Sequence, residues 1–407
     1  MHKQNSYSQH LASRWTGFGK SIFSEMTRLA QQHRAVNLGQ GFPDFYGPNE
    51  LLKSISEQVL TCHNQYSNSA GEPLLRQQIE HFVAKNTGVF YNPETEITVT
   101  SGASEALYCA INAFVNPGDK VLVFEPAFDL YYQAIANAGG VVIPVRLHAP
   151  DSPVGIINNN KWSISWPEFD AAAAGGFSLM IFNSPHNPTG KVFTEEEIDR
   201  IASKIYKNNA IVLADEVYEN LIYDDLPYLS LASIPKIQHL VVRISSAAKT
   251  FGFTGLKVGW ACAPSHLTDA IRIVHQATVF CVSPFTQLGL AEVMQNEKWF
   301  DAYLKSQQES YTHKRNFLTS ILERAGYYLS SCEGTFFLMA NYEKLAGDIS
   351  DVLYARQLVE THQIATIPIS PFYKQPPKSL PWVRFAFCKK EETLNQVAGL
   401  LLETGLL

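Results

Sequence analysis

Between residues 97 and 263 the chain repeats one pattern: a short run of consecutive apolar residues, a polar turn, then a stretch with helical spacing. The apolar runs occupy 97–100, 120–124, 141–145, 179–183, 210–215, 239–245 and 257–263. Several are apolar at successive positions instead of alternating, as in strands covered by helices on both faces. Between them lie helix-like segments such as 101–114 and 194–207. The latter opens on Thr194 with Glu197 three residues later and acid throughout its first turn, which is the capping-box spacing. Strand and helix in alternation dictate an α/β fold with a mostly parallel sheet sandwiched by helices. After about residue 283 the texture changes. A long helical stretch, 287–325, precedes strands near 335–340 and 382–387, the pattern of a second, smaller α+β domain. A chain of 407 residues is long enough for two cores.

Charge and composition narrow the function classes. The 32 basic and 38 acidic residues give a net charge of −6 with no run of like sign. Nucleic-acid and anionic-membrane surfaces need clustered Lys and Arg, so neither is expected. Residues 1–19 are polar and lack the apolar core of a signal peptide. No window approaches the roughly 18 apolar residues of a membrane span, and a cytoplasmic location is expected. The six cysteines, Cys62, Cys109, Cys262, Cys281, Cys332 and Cys388, form no Cys-x-x-Cys pair. They read as reduced and mostly buried, with no metal site.

In open α/β sheets ligands collect at the carboxyl ends of strands, which directs attention to four segments. Thr100-Ser101-Gly102-Ala103-Ser104-Glu105 follows a strand and opens a helix. Its free amides and small side chains suit a phosphate, although many tight strand-to-helix turns look the same. The loop Asn183 to Gly190 is rich in turn formers. Asn187 reads there first as a turn residue, and its amide is also able to donate to a phenolic oxygen. Leu213-Ala214-Asp215-Glu216-Val217-Tyr218 ends a buried strand in two acids, and a buried carboxylate needs a partner. A protonated ring nitrogen, a helix cap or an arginine would each serve Asp215; Tyr218 follows three residues on. Ser245 to Gly259 holds Lys249 among Ser, Ala and Gly, with a second cation, Lys257, eight positions later. A lysine in surroundings that disfavour its charge becomes an amine nucleophile; small neighbours that admit a large ligand argue against a stray surface lysine. His186 is assigned no role.

In this order, Ser-Gly-Ala-Ser-Glu-Ala-Leu, Asn-Pro-Thr-Gly, Asp-Glu-Val-Tyr and Ser-x-x-Lys with Gly-x-Lys-x-Gly, the chain resembles the fold-type-I aminotransferases of class I/II over nearly its whole length. Residues 37–45 and 280–283 are most similar to the kynurenine and methionine aminotransferase branch; 22–26 and 29–33 lean toward the bacterial methionine enzymes. The resemblance implies pyridoxal 5′-phosphate held by Lys249 as a Schiff base. It implies Asp215 on the ring nitrogen, Asn187 and Tyr218 on the phenolic oxygen, and Phe128 stacked on the ring. The phosphate would meet the amides of Ala103 and Ser104, the Ser246 hydroxyl and Lys257. Many family members carry Arg where Lys257 stands, and a lysine grips as a point charge instead of a fork. Tyr66 would reach the phosphate of a partner subunit, implying a homodimer. Arg384 would grip the substrate α-carboxylate with help from Gly39 and Asn187. Phe280, with Trp15 or Phe18, would wall an apolar side-chain pocket.

The implied division is an N-terminal arm with part of the small domain (1–48), a large cofactor-binding domain (49–285) and a small C-terminal domain (286–407). The implied reaction is ping-pong transfer of an amino group from a methionine-like, kynurenine, Phe, Tyr or Gln donor to a 2-oxo acid. A carbon–sulfur β-lyase acting on cystathionine or cysteine conjugates is the alternative on this scaffold. Aminotransferase-like ligand sensors carry a DNA-binding module ahead of the fold, and the family pattern here begins by about residue 20.

Overall fold

The computed structural model describes residues 10–19, 21–150 and 160–403. The first nine residues of the polar start lie outside these. Fourteen strands occur among the described residues. β1 is Val36–Asn37. The next eight are β2 Ile97–Thr100, β3 Lys120–Glu125, β4 Val141–His148, β5 Ser163–Ile164, β6 Leu179–Asn183, β7 Ile211–Asp215, β8 Val241–Ser246 and β9 Gly259–Cys262. The last five are β10 Tyr328–Leu329, β11 Phe337–Asn341, β12 Ile364–Ala365, β13 Ile367–Pro368 and β14 Trp382–Ala386.

Strands β2 to β9 form one sheet in the order β2-β9-β8-β7-β6-β3-β4-β5. The pairs β4–β3, β3–β6, β6–β7 and β7–β8 are parallel, whereas β9 runs antiparallel to both β8 and β2. Because side chains alternate across a strand, consecutive apolar residues feed two separate layers. Val121, Val123, Leu179, Ile181, Leu213, Val242 and Ile244 enter one core with the helices Ala103–Phe114, Asp129–Asn137 and Ser265–Thr278. Leu122, Phe124, Met180, Phe182, Val212 and Ala214 enter the other, with Trp166–Ala174 and Glu195–Asn208. Each fully buried side chain of this kind contributes about 1.5–3 kcal/mol, so both faces stabilise the sheet. The helix Glu195–Asn208 starts with the anticipated box: Thr194 accepts from the Glu197 amide and Glu197 from the Thr194 amide.

The second sheet, β10-β11-β14-β13, is antiparallel. The helical stretch anticipated at 287–325 is two helices, Pro284–Gln295 and Glu297–Arg324. They part at Asn296, whose side chain accepts the Trp299 amide and caps the second. The N-terminal arm joins this region: β1 pairs in parallel with β12, and Glu25 on the helix Ile22–His33 pairs with Arg356 on Asp351–His362. All six cysteines are free; Cys109, Cys262, Cys332 and Cys388 are buried. Among the described residues no helix is long and apolar enough to cross a membrane.

Candidate active site

The registers Thr100↔Gly259, Ser246↔Gly259, Asp215↔Ile244 and Asn183↔Asp215 bring the ends of β2, β8, β7 and β6 to one edge of the large sheet. A cavity of about 310 Å³ opens there.

One end of the cavity is built for an anion. Gly102 takes φ +82° and releases the chain into the helix Ala103–Phe114, whose first amides face the cavity with no helical carbonyl to bind. Gly259 permits the close packing behind them, since a Cβ there would lie 2.5 Å from the Ala103 amide nitrogen. Lys257, at φ 55°, brings its amine to 3.2 Å from where a Gly102 Cβ would stand. That amine has no hydrogen-bond or ion-pair partner among the described residues. Ser246 caps the short helix Ala247–Thr250 by accepting the Ala248 amide at 3.2 Å, and its hydroxyl lines the same end. Glu105 is turned away from this anion site: its carboxylate accepts the Ser101 amide and meets His275 Nδ1 at 2.5 Å. His275 Nε2 donates to the Ser69 carbonyl, so neither ring nitrogen of this Glu105–Cys109–His275 trio is left for a metal ion.

In the middle sits Asp215, buried, with Oδ2 accepting the Tyr131 hydroxyl at 2.5 Å. Its Oδ1 is buried and has no hydrogen-bond partner among the described residues. Burial pushes the carboxyl up to about 6 despite the opposing Tyr131 bond. Tyr131 was not singled out from the sequence. It sits three residues after Phe128 on the helix Asp129–Asn137, so the two share a helix face, with rings 5.9 Å apart edge to face. Phe128 and Tyr218 border the cavity, and the Tyr218 hydroxyl has no hydrogen bond among the described residues. Lys249 follows β8 by three residues. Burial lowers its amine to about 8, with Arg384 and Lys257 pushing the same way and Asp215 opposing. Nζ donates to the Gly41 carbonyl at 3.2 Å.

The third end belongs to Arg384 on β14, packed 3.8 Å over the Phe337 ring. Nη1 donates to Asn187 Oδ1 at 2.8 Å and Nη2 to the Gly39 carbonyl at 3.0 Å, while Nε is buried and unpartnered. Burial brings the guanidinium down to about 10, so it remains a cation at neutral pH. None of Lys249, Lys257, Arg384 and Asp215 takes part in an ion pair among the described residues.

Other anticipated residues lie apart. Tyr66 is 84% exposed and packs edge to face on Phe280, itself 40% exposed; neither lines this cavity. Trp15 pairs with Phe18, which borders a neighbouring hollow beyond Phe23. His186 is buried, bonded to Thr189 and held neutral, its ring pushed down to about 3 by burial.

The donor set fits pyridoxal 5′-phosphate on the orphaned atoms alone. The unpartnered Asp215 Oδ1 suits a ring N–H and the Asn187 amide with the Tyr218 hydroxyl a phenolic oxygen. Lys257 with the helix amides suits a phosphate.

The sequence pattern of the family described as aminotransferase class I and II matches residues 34–401. The methionine aminotransferase of Escherichia coli (strain K12) is 36% identical over 381 residues, 93% of this chain and 95% of that one. A kynurenine–oxoglutarate transaminase of Dictyostelium discoideum is 34% identical, covering 98% and 97%. The solved structure of N-succinyldiaminopimelate aminotransferase from Mycobacterium tuberculosis superposes with a TM-score of 0.89 at 33% identity, covering 98% of this chain and all of that one.

Proposed function

The chain belongs to the class I and II aminotransferases, and we propose that it moves the amino group of an L-amino acid with a neutral apolar, sulfur-containing or aromatic side chain to a 2-oxo acid, in two ping-pong half-reactions. Enzymes of this family use pyridoxal 5′-phosphate, which when bound supplies the electron sink for the α-carbon. Lys249, Asp215, Asn187, Tyr218, Phe128, Ser246, Lys257 and the amides of Ala103 and Ser104 are the residues we assign to holding it.

The chain's own side chains divide the work. Arg384 binds the α-carboxylate through charge-assisted bonds, its plane fixed by Asn187 and the Gly39 carbonyl. Lys249 has an amine lowered to about 8, so an appreciable fraction is unprotonated near neutral pH; its Nζ takes the substrate α-proton and returns it. Asp215 supplies a fixed negative charge at the ring nitrogen, oriented by Tyr131. Phe23, Phe42, Phe128 and Phe337 line the remaining space and exclude water.

The observation that carries the reading is one cavity with three cations and one buried acid, all unpaired with each other and each matched to a group of cofactor or substrate. Because every lining charge is assigned, no cation is left for a side-chain carboxylate, which favours donors like methionine and kynurenine over acidic ones. We further propose a homodimer in which the exposed Tyr66 reaches the partner's phosphate and the adjoining Phe280 its substrate pocket, and a division into an N-terminal arm with part of the small domain (1–48), a large cofactor-binding domain (49–285) and a small C-terminal domain (286–407). A steady-state screen of amino acids and kynurenine against several 2-oxo acids tests this. Methionine or an aromatic donor should exceed aspartate in kcat/KM by about 100-fold or more, since an unpaired buried carboxylate is costly. Aspartate as the best donor would overturn the substrate assignment; pyruvate and ammonia released from cystathionine, without transamination, would assign the chain to the carbon–sulfur lyases.

A further inference from the structure

Arg243 is a cation in the middle of a fully buried strand, with no exposed surface. Strand alternation sends Ile244 and Ser246 toward the cavity side of the sheet, and Arg243 with Ser245 toward the opposite side. There the guanidinium meets two buried carboxylates. Nε lies 2.7 Å from Glu216, and Nη2 pairs with Glu219. Two serines complete the arrangement: Ser230 donates to Glu216 at 2.7 Å, and Ser245 to Glu219 at 2.6 Å.

The two carboxylates bracket the cavity residues. At the end of β7 and in the turn that follows it, Asp215 and Tyr218 line the cavity while Glu216 and Glu219 face Arg243. The backbone is fastened at the same points: the Glu216 amide donates to the Ile244 carbonyl at 2.8 Å, and the Glu219 amide to the Glu216 carbonyl at 3.0 Å. The guanidinium, a planar fork of donors where an ammonium is a point charge, therefore meets Glu216 by charge at one end of the turn and Glu219 by a hydrogen bond at the other. Charge points the same way. Burial pushes Glu219 toward its neutral form and Arg243 opposes this, and the charge on Glu216 raises Asp215.

We propose that Arg243 is a positioning residue: by clamping Glu216 and Glu219 on the far side of the sheet, it sets how Asp215 and Tyr218 enter the cofactor cavity. The proposal rests on the reading of the cavity as the pyridoxal-phosphate site. Arg243 itself lines no part of that cavity.

The test compares wild type, Arg243→Met, Arg243→Lys and the triple variant Arg243→Met/Glu216→Gln/Glu219→Gln, which removes the buried charges together with the clamp. Three quantities are measured on each: the dissociation constant for added pyridoxal 5′-phosphate, the circular dichroism of the bound cofactor band, which reads ring orientation, and the thermal midpoint of the cofactor-free chain. Arg243→Met should weaken cofactor binding at least tenfold and alter the dichroism, with Arg243→Lys between it and wild type. The triple variant should recover the thermal midpoint but not the affinity or the dichroism. Recovery of all three would show a merely structural role and overturn the proposal, as would wild-type affinity and dichroism in Arg243→Met. If Arg243→Met does not fold, the lysine and triple variants decide by the same criteria. A wild-type chain that takes up no cofactor would overturn the cofactor reading and the clamp with it; failure confined to the variants' expected behaviour overturns the clamp alone.

Discussion

Replacing Tyr131 by phenylalanine removes one hydroxyl and almost no volume, and that hydroxyl is the side-chain donor holding Asp215. A hydrogen bond to a charged group contributes about 1.5–3 kcal/mol, which at about 1.4 kcal/mol per pH unit is a shift of roughly one to two units. The acid, pushed up to about 6 by burial and held down in part by Tyr131, then moves to roughly 7–8 in the variant. Only the ionised acid forms a charge-assisted bond with a protonated ring nitrogen, so the apparent cofactor dissociation constant is the intrinsic one divided by the ionised fraction. At pH 7 that gives about two- to tenfold weaker binding, rising to about 10–100-fold below pH 6 and vanishing above about pH 9. The assay is a cofactor titration of wild-type and variant apo-protein across pH, followed by protein fluorescence. Lys249, which lowers Asp215 and is raised by it, titrates in the same range; repeating the titration in a Lys249→Ala background removes its contribution from both constants. A ratio that stays flat with pH, or near one at pH 6, would refute the coupling of Tyr131 to the charge on Asp215.

Three further outcomes follow from the same cavity. Asp215 is raised above its ordinary 3.8 to about 6. Its burial therefore costs nothing below about pH 4, opposes folding increasingly between about pH 4 and 6, and is a constant penalty above that. Asp215→Asn should thus stabilise the apo-protein at pH 7 by about 2–3 kcal/mol, with no gain near pH 4, as read by chemical denaturation; unchanged stability would count against a buried, unpaired acid. Arg384→Lys should raise KM for the amino acid by about 100-fold and leave the bound-cofactor absorbance intact, because a point charge replaces a two-pronged grip; loss of cofactor instead would misplace that residue. Lys257→Met should weaken pyridoxal 5′-phosphate by about 10–100-fold while leaving pyridoxal, which lacks the phosphate, unchanged; equal losses for both would argue against a phosphate contact.

The runs at 97–100 and 179–183 coincide with strands, and those at 120–124, 141–145, 210–215, 239–245 and 257–263 end within a few residues of them. These were legible because a strand buried on both faces must be apolar at successive positions. Direction was not legible: β9 runs against β8 and β2, and a doubly buried strand looks the same either way. The break at Asn296 was hidden because the helical spacing continues across it, with only a capping side chain to mark the restart. Within the cavity, small residues and charges at strand ends exposed Lys249, Asp215 and Lys257, whereas Arg384 was reached through the family likeness. Tyr131 escaped notice; its spacing from Phe128 was the available signal. Arg243 lay inside the apolar run 239–245, where a cation demands buried acids, and Glu216 and Glu219 supply them. Phe280 and Tyr66 share an exposed surface away from the cavity, a placement that the residue pattern does not encode.

The whole account turns on which amine meets the cofactor. Borohydride reduction of the pyridoxal-phosphate-loaded protein, followed by digestion and mass mapping, should place a single pyridoxyl-phosphate group on the peptide containing Lys249. A label on another lysine, or an unlabelled Lys249 in protein that has bound the cofactor, would contradict it.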